Sequence, residues 1–118
     1  MHEARLHAVL AWDAPVRVTG GAWAIPNEEE LADYGRHALE RLDSLLQAHA
    51  RELAGVEVER SAVHGAAAPV LLEAARGAAA LVVGTRGHGG FVGLLLGSVT
   101  QQCAHHASCP FVIVPPTR

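Results

Sequence analysis

The segment VVGTRGHGGFVGLLLGSVTQQ, residues 82–102, places six glycines (Gly84, Gly87, Gly89, Gly90, Gly93 and Gly97) within fourteen positions. Glycine that dense weakens helices and strands alike, so some local need must outweigh the cost. The segment overlaps a short apolar run, ALVVG at residues 80–84, which reads as a buried parallel strand. It leads into a helix predicted from Ser98 to about Ala107. Strand, glycine loop and helix N-terminus in that order gather backbone N–H groups at the carboxyl end of a strand. Anions, and the ligands of open α/β sheets, bind there. A flexible turn without ligand is the competing reading of glycine alone; the strand–loop–helix context favours phosphate.

Working outward, the elements alternate. Leu6, Ala8, Leu10 and Trp12 alternate with Arg5, His7 and Val9, predicting a strand over residues 4–12 that ends at Asp13-Ala14-Pro15. A long loop containing Gly20-Gly21, with room for a short hairpin, runs to Pro26. Asn27 with Glu30 three residues later is a capping-box pattern, and Glu28, Glu29 and Glu30 suit the positive end of a helix dipole. Leu31, Ala38, Leu42, Leu45, His49 and Leu53 then form one apolar face, predicting a long helix closed by Gly55. Residues 56–63 (VEVERSAV) alternate as a half-exposed edge strand. Pro69 suits the first position of a short helix, PVLLEAAR, closed by Gly77. Cys109-Pro110 breaks the helix after the glycine loop, and Phe111, Val112, Ile113 and Val114 form the last strand. Such alternation implies a parallel sheet with right-handed crossovers, within one domain covering all 118 residues.

Composition narrows the function classes. Net charge is −3 and the nine arginines are scattered, which argues against nucleic acid as a partner. The chain has no lysine, which excludes a Walker-type loop and Schiff-base chemistry. Any phosphate must be held by backbone N–H groups, hydroxyls and arginine. Two cysteines make no disulfide framework, and no run approaches a membrane span, so the expectation is a cytoplasmic protein without membrane contact.

The spacing Gly84-x2-Gly87-x9-Gly97-Ser98 resembles the G-x2-G-x9-G-[ST] signature of ATP-binding universal stress proteins, and the flanking LVVGTRGHGG and LLLGSVTQQ are similar too. That resemblance implies the family fold, related to the adenine nucleotide alpha hydrolases: an open five-stranded parallel sheet of order 3-2-1-4-5 with helices on both faces. It implies ATP as ligand, with or without Mg²⁺. Val83, Gly84 and Gly87 would lie along the ribose and phosphates. Gly97, Ser98, Val99 and Thr100 would supply N–H and hydroxyl groups to the triphosphate. LHAVLAW resembles the family's second strand, with the Ala8 backbone at the adenine. Arg86 is the loop's one cation and screens phosphate charge or is simply solvated; His88 is more simply read as solvated. The resemblance further implies a homodimer paired antiparallel through Phe111, Val112, Ile113 and Val114.

The match fails at the start. The family opens with a strand and helix of about 30 residues ahead of LHAVLAW. Here Met1-His2-Glu3 leads almost directly into the second strand, so the central strand and its nucleotide-holding Asp have no counterpart. The second strand could close up beside ALVVG, a partner chain could donate a strand, or the domain is incomplete; a rearranged or intertwined dimer is the expectation. Smaller departures are Ala67 in place of a frequent Pro and Ala79 in place of a frequent acid.

Other constellations are weaker. Cys103, His105, His106 and Cys109 lie close in sequence, but structural zinc usually draws ligands from two separated segments, so no metal site is expected. Ser98 has His88 nearby, yet its position in the motif is a phosphate contact. None of the three aspartates (Asp13, Asp33, Asp43) lies in the glycine loop, which leaves slow ATP hydrolysis at most and no catalytic residue to name. The expected function is an ATP-binding, dimeric stress-response sensor or regulator. The alternative is a degenerate member that has lost nucleotide and serves as a protein-interaction module.

Overall fold

The computed structural model describes residues 5–84 and 97–114 and has an α/β fold of parallel strands and helices. The chain divides into two compact units, residues 1–66 and 67–118.

In the first unit, β1 (Arg5–Trp12) and β4 (Glu57–His64) form a parallel ladder in which Arg5 stands opposite Glu57, Ala8 opposite Arg60 and Trp12 opposite His64. On one face Arg5 approaches Glu57 at 3.7 Å and Glu59 at 3.6 Å, and His7 Nε2 meets Ser61 Oγ at 2.9 Å. The polar alternation of residues 56–63 therefore serves a solvated face, as expected. Helix α1 (Glu28–Ala48) packs on both strands, where Arg60 pairs with Asp43 at 2.7 Å.

The capping box is formed. Glu30 N–H donates to Asn27 Oδ1 at 2.8 Å, and Asn27 N–H donates to Glu30 Oε1 at 3.1 Å. Such a cap contributes about 1 kcal/mol. The helix ends earlier than its apolar period predicts. His49 is the C-terminal cap, its Nδ1 2.9 Å from the Leu45 carbonyl, and the chain reaches Gly55 through turns. Gly55, at φ +81°, turns the chain toward β4 rather than closing the helix. Between β1 and α1, β2 (Arg17–Thr19) and β3 (Ala22–Ala24) form an antiparallel hairpin. Gly20 and Gly21, at φ +58° and +80°, supply the two left-handed residues that a two-residue hairpin turn demands.

In the second unit, β5 (Leu81–Gly84) and β6 (Phe111–Val114) pair in parallel, Leu81 opposite Phe111 and Gly84 opposite Val114. Helices α2 (Ala67–Ala74) and α3 (Ser98–His106) pack on each other, and α3 also packs on β6. Their core is built from small side chains: Ala68, Ala75, Thr100 and a fully buried Cys103. Burial pushes the Cys103 thiol above its ordinary pKa. Helix α2 starts at Ala67, two residues before Pro69. Proline is tolerated at the third position because the N–H groups of a first turn have no helical acceptor.

Among the described residues β1–β4 and β5–β6 are separate two-stranded parallel sheets, one in each unit. Among the described residues β1 has one ladder partner and β5 has one. Val82, expected to be buried, is 59 % exposed as a result. Also among the described residues, no helix is long and apolar enough to cross a membrane.

Candidate functional site

The carboxyl end of β5 and the amino end of α3 meet at one side-chain bond. Thr100, 3 % exposed, donates its hydroxyl proton to the Gly84 carbonyl at 2.6 Å. The bond ties the last residue of the strand to the first turn of the helix across the glycine loop. Gly97 is the N-cap residue, at φ −66° and ψ 158°, and makes no side-chain cap bond. The first helical bond runs from Gln101 N–H to the Gly97 carbonyl at 3.0 Å. The N–H groups of Ser98, Val99 and Thr100 stand ahead of it, without helical acceptors, at the positive end of the helix dipole. Such a turn offers a convergent set of donors to an anion.

Of the residues picked out in the sequence, Gly84, Gly97, Ser98, Val99 and Thr100 gather at this junction, and Val83 precedes it in β5 opposite Ile113. Arg86 and Gly87, with His88, lie outside the described residues. Ala8 sits in β1 of the other unit, half-buried opposite Arg60. Thr100 has a structural task that the sequence did not reveal. Its one hydroxyl proton goes to Gly84, so toward a ligand it offers its N–H and the acceptor side of its oxygen. Sixteen residues separate donor and acceptor, and no local pattern marks such a bond.

A second cluster closes the carboxyl end of β1. Trp12 and His64 stack with ring centroids 4.5 Å apart, a consequence of their opposed positions in the ladder. His64 Nε2 lies 2.9 Å from Asp13 Oδ1, which also accepts the Ala14 N–H at 2.8 Å. The His64 bond first, and the Ala14 bond second, hold the Asp13 carboxyl below its ordinary pKa. An open groove of about 380 Å³ lies beside α1 and β4, but its Arg60 and Asp43 satisfy each other. Among the described residues no group of three His, Cys, Asp or Glu side chains is placed to hold a metal ion. Cys103 and Cys109 are both free thiols.

The sequence matches the Universal stress protein family over residues 1–115. It is 34 % identical over 82 residues to Universal stress protein Rv2623 of Mycobacterium tuberculosis, an alignment covering 70 % of this chain and 28 % of that protein. A universal stress protein of Mycolicibacterium smegmatis is 39 % identical over 92 residues, covering 77 % of this chain and 30 % of its own. The chain thus spans less than a third of the length of these relatives. Among solved structures, hypothetical protein MJ0577 superposes with a TM-score of 0.58 at 17 % identity, over 97 % of this chain and 77 % of that one. At that identity the likeness is one of fold.

Proposed function

The chain belongs to the universal stress protein family, and from that premise we propose that it binds ATP, with or without Mg²⁺, and acts as a cytoplasmic, homodimeric stress-response sensor or regulator. The triphosphate is held at the amino end of α3 by Gly97, Ser98, Val99 and Thr100. Val83, Gly84 and Gly87 line the ribose and phosphates, and Arg86 screens charge. Binding then biases a conformation or a partner surface; the loop carries no carboxylate suited to phosphoryl transfer.

The observation that carries this reading is the junction of Gly84 with the first turn of α3. Its backbone gives the glycine spacing a physical reason. At φ −66° and ψ 158° the backbone at position 97 is one that any L-residue adopts, so the conformation does not call for glycine. Neither does capping, because Ser, Thr, Asp or Asn would cap α3 better. Close approach to the backbone is a use of the missing Cβ that fits a ligand at this helix end.

Titration calorimetry of ATP into the 118-residue chain tests this, with Gly97→Val as the comparison and thermal melts to check that both fold. The expected outcome is micromolar binding by the natural chain and loss of at least tenfold in affinity, about 1.4 kcal/mol, for Gly97→Val. A folded natural chain that binds no ATP would replace this reading with the interaction module.

A further inference from the structure

The β2–β3 hairpin has an uncovered apolar face. Val18 stands opposite Trp23 in the ladder, so both project to one side. Val16 and Ile25 flank the strands just before Arg17 and just after Ala24, and a continued two-residue period would carry them to that same side. Val18 and Trp23 are paired neighbours 58 % and 74 % exposed, and Val16 and Ile25 at the hairpin's open end are 50 % and 78 % exposed, so four large apolar side chains are uncovered on one short hairpin. On the opposite face Arg17 donates to Glu30 Oε2 at 2.8 Å, the same side chain that completes the α1 capping box. The patch is therefore presented on an anchored hairpin and not on a free loop.

The chain next to the hairpin is acidic. The exposed Glu28 and Glu29 follow Ile25 by three and four residues and make no ion pair among the described residues. The nearby basic groups are already engaged, Arg17 by Glu30 and His64 by Asp13. A second copy meeting this patch face to face would set acid against acid, and an anionic membrane would be repelled in the same way. Charge complementarity selects the remaining occupant.

We propose that the Val16, Val18, Trp23 and Ile25 face of the hairpin docks a partner protein segment whose apolar side chains are flanked by lysine or arginine. Trp23 is the central anchor, as a large aromatic side chain with little conformational entropy to lose, and Glu28 and Glu29 set the sign of the partner's charge. Docking here does not depend on nucleotide.

The test uses the full chain and a labelled amphipathic Leu/Lys helical peptide, followed by anisotropy and by tryptophan emission, without ATP. Comparison probes are a Leu/Glu peptide of equal length and vesicles of phosphatidylcholine with phosphatidylglycerol. The expected result is binding of Leu/Lys alone, with a blue shift that Trp23→Phe removes. Trp23→Ala weakens binding by roughly tenfold or more. Glu28→Gln with Glu29→Gln weakens it by about tenfold and makes it less salt-sensitive, whereas Glu40→Gln with Glu52→Gln, equal in charge, changes it by less than about twofold. Equal affinity for the Leu/Glu peptide would overturn the proposal. So would indifference to Trp23→Ala, equal effects of the two glutamate pairs, or a blue shift produced by vesicles or by self-association instead.

Discussion

Thr100 spends its hydroxyl inside the fold, on the Gly84 carbonyl, and at 3 % exposure it has little water to fall back on. Thr100→Val keeps the shape and removes the donor. The expected cost is about 1 kcal/mol, the net worth of one such bond, which in a chain of this size lowers Tm by about 4 °C. A thermal melt checks it, and an unchanged Tm would mean that the bond does not brace the loop. This contact also marks how far single residues were legible. The glycines and Ser98 could be read because they form a local pattern between a strand and a helix. The tasks of Thr100, and of Trp12 stacked on His64, come from strand register and from chain that returns after sixteen and fifty-two residues. No spacing rule encodes such contacts.

At the scale of elements, chain order and most boundaries were readable, because capping, turn glycines and apolar period act within a few residues. The apolar period and the expected Gly55 cap both carried α1 too far. Leu53 continues the apolar face of α1 on paper, yet His49 closes the helix first. The hairpin, expected only as a loop with room for one, is fixed by Gly20 and Gly21. Gly35 within α1 has a different reason. A Cβ there would sit 3.0 Å from Trp12 Cζ2, and the Trp12 ring is itself stacked on His64. Gly→Ala in a helix interior ordinarily stabilises by about 0.5–1 kcal/mol. Here Gly35→Ala is expected to destabilise instead, by about 1–3 kcal/mol from overpacking, with a change in near-ultraviolet circular dichroism from the displaced indole. A denaturation midpoint at or above that of the natural chain would show that the ring yields freely.

At the scale of the whole molecule, the parallel pairing and the alternation of strands with helices that the sequence implied are present in each unit, and the backbone likeness at TM-score 0.58 is one of fold. Exposure was less legible, because Val82 takes its burial from neighbours on other strands and not from its own apolar run. β6 ends the second sheet with Val112 and Val114 43 % and 45 % exposed. An apolar edge strand without lysine or proline is a pairing site. The proposed homodimer uses it, so sedimentation equilibrium is expected to give a dimer for the natural chain and a monomer for Val112→Lys with unchanged far-ultraviolet circular dichroism. A monomeric natural chain would remove the dimer from the account.

The central claim is that the first turn of α3 holds a triphosphate. Its most direct test is a titration of the isotope-labelled chain with ATP, followed by backbone amide resonances. The account predicts saturable shifts at Gly97, Ser98, Val99 and Thr100, largest for these amides and absent in Gly97→Val. Saturable binding that leaves those four amides unmoved, or no binding by the folded chain, would contradict it.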